Sequence, residues 1–280
     1  MSIANRVHIT KRTGASSGAQ LAARLIAIVI ALAASGLVML IMGYQPLSIF
    51  SKIITSSLST VSRFGETMNK TILLTMLSLG IAVAFRMKFW NIGAEGQFYM
   101  GAFGAALIAF GFPDLPAGLL LPLMGICAFV FGGMWAIIPA LIKAKFNTSE
   151  TLVTLMMNYI AISFISYLQY GPWKDPESLG SAKIARFSDN AILPKVFGIH
   201  AGWIIMLVFV VIMTIVLKYT KLGYQIDVLG ESETTARYAG MNTLKIMIIA
   251  VLLSGGLCGI AGFMQASAVE KSITDQMSGG

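Results

Sequence analysis

Charge is the first thing this sequence has little of. Only 11% of its 280 residues are Asp, Glu, Lys or Arg, 56% are hydrophobic and the mean hydropathy is +0.79. An average soluble domain is about 25% charged, so a water-soluble globular fold is excluded and the chain reads as an integral membrane protein. Cysteine and histidine are equally scarce, two of each. Cys127 and Cys258 lie inside apolar runs, and His8 and His200 are far from them and from each other, which supports neither a disulfide framework nor a metal site. No phosphate loop of the Gly, four residues, Gly-Lys-Ser/Thr type occurs. Gly14-Ala15-Ser16-Ser17-Gly18 lacks the lysine that would hold phosphates, so the chain cannot hydrolyse ATP alone. A Ser/His/Asp set is missing too, because the two histidines fall in polar regions that the topology below puts on opposite membrane faces. No catalytic residue, metal or cofactor is expected, and the chain is not read as an enzyme. The one surplus is basic, 20 Lys and Arg against 12 Asp and Glu. Those residues are scattered over short connectors without interleaved aromatics, which fits topology-setting charge and not nucleic-acid binding.

What the sequence has in quantity is apolar runs. Residues 1–24 carry Arg6, Lys11, Arg12 and Arg24 without an acid, and the run from Leu25 to Gly43 is long enough to begin a span, for which about 20 residues are needed. A cleaved signal peptide fits poorly, because its apolar region is only about 7 to 15 residues and a polar mature chain should follow. From Tyr44 to Lys70, Leu47, Phe50, Ile54, Leu58 and Val61 recur at three- and four-residue steps among Ser, Thr, Lys52 and Arg63. That spacing predicts an amphipathic helix on the membrane surface. Thr71 to Phe85 is a short span closed by Arg86 and Lys88, and short spans point to thin or broken helices. Further spans follow to Phe112, over Ala117 to Ile142 with Pro122 and Pro139 inside, and over Thr151 to Tyr170, Ala201 to Leu217 and Ile246 to Val269. Residues 171–200 between them are polar and proline-punctuated, with room for a short helix or hairpin. The fold class is all-α, a polytopic transmembrane helical protein of about seven spans over residues 25–280.

Basic residues orient the spans. A cytoplasmic N-terminal tail puts Arg86 and Lys88, Lys143 and Lys145, and Lys218, Lys221, Arg237 and Lys245 inside, while the connector at 111–116 outside carries only Asp114. The helix over 44–70 is then external and the loop over 218–245 cytoplasmic.

Two polar stretches break the apolar pattern. In the first, Phe89-Trp90-Asn91-Ile92-Gly93-Ala94-Glu95-Gly96-Gln97-Phe98, charge and glycine sit beside long spans. Hydrocarbon tolerates such backbone only where protein or a water-filled cavity covers it. Asn91, Glu95 and Gln97, with Asn158 at mid-length of a later span, are therefore candidates to face a substrate path. The plainer alternative is that Glu95 only satisfies the first-turn amides of its own helix. Downstream, Gly101 with Ala105, and Gly255 with Gly259, have the four-residue spacing of small residues that lets helices approach closely, and Gly104 and Gly262 are grouped with them as packing positions. In the second stretch, Ser232 is a plausible cap, Glu233 an early acid, Arg237 a late base and Gly240 a terminator. The resulting two-turn helix is too short to hold itself, since isolated helices need about 12 to 15 residues. It either packs on the protein's own helix ends or docks a cytoplasmic partner.

Together these stretches resemble the permease subunit of a bacterial ABC importer of the simple-sugar and nucleoside group, within the superfamily of branched-chain amino acid and ribose permeases. Trp90 to Phe98 is similar to that group's signature almost without departure. Gly230-Glu231-Ser232-Glu233-Thr234-Thr235-Ala236-Arg237-Tyr238-Ala239-Gly240-Met241, with Ser254-Gly255-Gly256-Leu257-Cys258-Gly259-Ile260-Ala261-Gly262 after it, resembles the superfamily's ATPase-contacting loop and glycine-rich helix. The resemblance implies that Gly230, Glu231, Ala236, Arg237, Tyr238 and Gly240 belong to a coupling helix seated on an ATP-binding subunit. It also implies a second permease subunit in a heterodimer, an external substrate-binding lipoprotein and a small neutral solute, a nucleoside or sugar, crossing the lipid bilayer of the bacterial cell membrane. Members of the group continue past a Ser-Gly-Gly such as Ser278-Gly279-Gly280, so a C-terminal truncation is expected. The rival reading is a facilitative or ion-coupled carrier working without an ATPase.

Overall fold

The computed structural model describes residues 17–178, 180 and 182–279. The basic tail with Arg6, His8, Lys11 and Arg12 lies outside the described residues, as does Gly280. In chain order the elements are α1 (Ser17–Ile41), α2 (Pro46–Leu58), α3 (Val61–Arg86), α4 (Ala94–Gly111), α5 (Ala117–Phe146) and α6 (Glu150–Tyr170), then the strands β1 (Lys195–Val196) and β2 (Ile199–His200). They continue with α7 (Gly202–Tyr219), α8 (Lys221–Glu231), α9 (Glu233–Tyr238) and α10 (Thr243–Met264), which a π-helical turn over Gln265–Glu270 prolongs. The antiparallel pair β1 and β2 forms a small hairpin in the mixed loop ahead of α7.

Six helices among the described residues are long and apolar enough to cross a membrane: α1, α3, α5, α6, α7 and α10 with its π turn. The expected count of seven included α4, which does not qualify. Glu95 and Gln97 in its first turn lower its hydropathy, and its side chains face neighbouring helices, with twelve of its residues buried. A second difference concerns residues 44–70, expected as one amphipathic helix. The chain breaks at Ser59 and Thr60, and Val61 begins a helix of 26 residues, so the short span at Thr71 to Phe85 is the inner part of a long one. Thr60 supplies the reason. Its hydroxyl accepts from the Arg63 amide at 3.3 Å, a start signal of the N-cap kind inside what reads as a continuous amphipathic pattern.

The chain divides into two units, residues 1–64 and 65–280. In the first, α1 presents apolar side chains outward along its length, Leu25, Val29 and Leu32 among them, as a helix with lipid for solvent does. Gly36 is the buried exception, facing Pro46 and Phe50 of α2. In the second, α10 is the central helix and packs on α4 and α5, while α6 covers another side of α4. The approach is close because small residues meet. A side chain at Gly101 would overlap the Gly259 backbone, and one at Gly262 would overlap the Phe98 carbonyl. Gly104 lies against α5, where a Cβ would come within 2.9 Å of the Cys127 carbonyl, and Gly255 abuts Gly132 and Ala136.

Candidate functional site

Residues 87–93 leave α3 and do not run straight back out of the bundle. They pass along α6, on the face formed by Glu150, Thr154 and Asn158, spaced four residues apart. The Trp90 amide donates to Glu150 Oε1 at 3.5 Å, the Ile92 amide to Thr154 Oγ1 at 3.3 Å, and the Gly96 amide to Asn158 Oδ1 at 2.8 Å. In return Asn158 Nδ2 donates to the Ile92 carbonyl at 3.0 Å. Thr154, beside Gly93, and Asn158, beside Gly96, lie four and eight residues into α6, about 6 and 12 Å, so α4 begins between one and two turns inside α6 rather than at its end. A Cβ at Gly96 would stand 2.9 Å from Asn158 Oδ1, so glycine is what admits this contact.

Asn91 ties the same stretch to α10. Its Nδ2 donates to Gln97 Oε1 at 3.1 Å and to Ser254 Oγ at 3.2 Å, while its Oδ1 accepts from Gln97 Nε2 at 2.9 Å and from the Gly93 amide at 3.0 Å. Asn91 and Gln97 are each 1% exposed and Asn158 6%. Of the four residues read from sequence as path candidates, these three have their amide groups committed to protein partners and work as a fastening between α4, α6 and α10. Burying them without those partners would cost about 1–3 kcal/mol per orphaned group.

Glu95 differs. In its own first turn, the Gly96 amide is satisfied by Asn158 of another helix and not by the Glu95 carboxylate. Glu95 is half-buried and its Oε1 accepts from Ser278 Oγ at 2.8 Å. That partner arrives from the far end of the bundle. After the π turn, Lys271 adopts φ +57° and the chain folds back. The Asp275 amide donates to Gln169 Oε1 at 3.1 Å, Ser166 Oγ donates to Asp275 Oδ2 at 2.5 Å, and the Tyr99 hydroxyl donates to the Asp275 carbonyl at 2.7 Å. Ile273 and Met277, four apart, bury the other face of this returning segment. Two irregular segments thus enter from opposite ends and meet where Glu95 touches Ser278, and Tyr99, Ser166, Gln169 and Asp275 complete a polar cluster. Sequence reasoning missed these additional five residues. The stripe Glu150, Thr154, Asn158 was a readable signal for the first segment, but nothing local marks 271–279 as returning.

The second polar stretch forms α8 and α9 at the bundle end that also carries Arg86 and Lys143. The local start and stop signals sit at the expected residues. Ser232 Oγ accepts from the Thr235 amide at 3.2 Å, Arg237 pairs with Glu233 at 2.6 Å, and Gly240 has φ +74°. Its support comes from α3. Both guanidinium nitrogens of Arg86 that face Asp227 lie 2.9 Å from that carboxylate, and a third donates to the Leu217 carbonyl at 3.1 Å. Gly230 rests against the Arg86 backbone so closely that a side chain there would overlap it. Ala236 is buried, whereas Glu231, Arg237 and Tyr238 point outward, Tyr238 with 90% of its surface exposed. Beside α9 lies a pocket of about 510 Å³ bounded by Glu233, Arg237, Lys143, Phe89 and Met247. Lys143 there pairs with Glu150 at 2.9 Å and lies over the Phe89 ring.

Over residues 64–278 the sequence matches the family described as branched-chain amino acid transport system / permease component. The chain belongs to this permease family. It is accordingly a multi-pass membrane transport component and not an enzyme. Among curated proteins it is similar to the guanosine ABC transporter permease protein NupP of Bacillus subtilis, with 34% identity over 251 residues, 86% of this chain and 70% of that protein. Its identity to the nucleoside ABC transporter permease protein NupB of Lactococcus lactis is 30% over 268 residues, 90% and 72% of the two chains. With the glucose ABC transporter permease protein TsgB13 of Haloferax volcanii it is 29% over 248 residues, 84% and 65% of the two. No solved structure matches the chain.

Proposed function

We propose that this permease is the membrane subunit of an ABC importer for a neutral, hydroxyl-rich solute, a nucleoside or a simple sugar. It works with a cytoplasmic ATP-binding subunit, a second permease subunit in a heterodimer and an external substrate-binding lipoprotein. The similarity to nucleoside and sugar permeases supports the substrate class. The observation that carries the mechanism is the brace between α8 and α3. In this reading the end bearing α8 and α9 is cytoplasmic, as Arg86, Lys143 and Lys145 at span ends favour, and the N-terminus is on the same side.

The outward Glu231, Arg237 and Tyr238 seat on the ATPase, with Ala236, Gly230 and Gly240 shaping the helix that bears them. When ATP binding draws the ATPases together, displacement of α9 passes through Arg86, Asp227 and Gly230 to the end of α3. The next residues in the chain are 87–97, so the same push reaches the fastened stretch and Glu95. Within the path, Glu95, Asp275, Tyr99 and Ser166 offer acceptors and hydroxyls suited to a neutral polyol, while Asn91, Gln97 and Asn158 keep their geometry.

The test is uptake by the complete importer in vesicles. Arg237→Glu should leave the permease folded and abolish ATP-driven uptake of labelled nucleoside. Cysteines replacing Glu95 or Asp275 should react with a water-soluble thiol reagent while one replacing Asn91 stays protected. Two carboxylates at depth are also what an ion-coupled carrier needs. Uptake by the permease without ATPase, driven by an ion gradient, would favour that second reading.

A further inference from the structure

At the bundle end opposite α8 and α9, two cavities share walls. One, of about 400 Å³, is a groove between α5, α7 and α10 lined only by apolar side chains, including Ile126, Phe129, Ile205, Phe209 and Phe263. The other, of about 660 Å³, lies at its mouth and carries Arg186, Lys195 and Lys271 against a single acid, Asp189. Leu121 and Leu193 line both, so one continues into the other. Arg186 is paired with Asp189 at 3.5 Å, whereas Lys195 and Lys271 have no ion pair among the described residues.

We infer that this composite cleft binds one diacyl phospholipid with an anionic head group, its phosphate on Lys195, Lys271 and Arg186 and an acyl chain in the groove. The order of the two chemistries along the membrane normal argues for it. The basic pocket sits where α5 begins, at Ala117 and Gly118, and the groove runs inward from Leu121 to Phe129. That is about 12 Å of helix, within a hydrocarbon core about 30 Å thick. A lipid places phosphate and chain in the same order, and the charge pairing by which basic pockets between helices hold anionic head groups on the cytoplasmic side is available to Lys195, Lys271 and Arg186 at this opposite end. A packed apolar helix would fill the groove and leave the two lysines without a counter-charge. A free anion would occupy the mouth and leave the groove empty. Only an amphiphile answers both.

The inference is tested on the purified 280-residue chain in mild detergent, by native mass spectrometry with added phosphatidylglycerol. One lipid should be retained, at least tenfold more strongly than phosphatidylcholine with the same acyl chains. Lys195→Gln with Lys271→Gln should reduce phosphatidylglycerol retention to the phosphatidylcholine level. Both side chains lie at the pocket surface, so the thermal midpoint should stay within about a degree; should the double variant fail to fold, Lys195→Gln alone is compared. Gly125→Phe, which fills the groove, should weaken both lipids, and millimolar inorganic phosphate should displace neither. Equal retention of the two lipids, unchanged retention in the lysine variants, or displacement by phosphate alone would overturn the proposal. So would a photo-reactive phenylalanine analogue at Ile126 that captures polypeptide in native membranes in place of lipid.

Discussion

The stretch at 87–97 and the stretch at 218–245 both interrupt apolar helices with charge, glycine and amides, yet they are held in opposite ways. The first is fastened to other helices: Asn91 and Gln97 hold each other, Asn91 reaches Ser254 of α10, and Asn158 of α6 holds the Ile92 carbonyl and the Gly96 amide. The second is shaped from within, by the Ser232 cap, the Glu233 and Arg237 pair and Gly240, and is anchored chiefly at Arg86, Asp227 and Gly230. The difference follows from solvent. Where no water reaches, each amide needs a protein partner, and those partners lie far apart in sequence. At the surface, water serves the outward groups and local signals suffice.

Breaking the inner fastening should have the largest effect. Asn91→Ala leaves the Gly93 amide and the Gln97 and Ser254 groups without their partner, and thermal unfolding in detergent should report a loss of about 3 kcal/mol. Glu233→Ala removes a pair exposed on both sides and should cost no more than about 0.5 kcal/mol in the same assay. Equal losses would erase the contrast. The next effect is on coupling and not on stability. Arg86→Gln breaks a partly exposed pair worth up to about 1 kcal/mol, but it cuts the contact joining α8 to α3. Vesicle uptake should fall at least tenfold with ATP hydrolysis by the assembled importer retained, and intact uptake would remove α3 from the relay. The smallest effect is at the other end. Burial lowers the pKa of His200 below its usual 6.5, and the Gly202 amide donates to its Nδ1 at 3.2 Å, which requires that nitrogen to be unprotonated. The unfolded chain takes up the proton first, so this contribution is present above about pH 6.5 and is lost as pH falls through the lower folded value. The unfolding midpoint should drop by about a degree or two between pH 7.5 and 5.5, and His200→Gln should flatten that dependence.

Much of this was legible beforehand. Membrane insertion, most of the spans and the capped helix over Glu233–Tyr238 follow from composition and local spacing. The break at Thr60 was not, because one hydroxyl outweighed a continuing amphipathic pattern. The special place of residues 89–98 was visible, but its division into a fastening and one half-buried carboxylate was not, because only the tertiary fold brings Ser254 within hydrogen-bond reach of Asn91.

The sequence by itself determined that the chain lives in a bilayer and carries a short capped helix among basic span ends, since apolar content, charge bias and cap residues act through neighbours a few positions apart. Tertiary structure alone decided that α4 starts inside the bundle and that 271–279 returns to meet Glu95. Those outcomes depend on hydrogen bonds such as Ser166 to Asp275 and Ser278 to Glu95, spanning more than a hundred residues. No local pattern encodes which distant donor a buried acceptor will find.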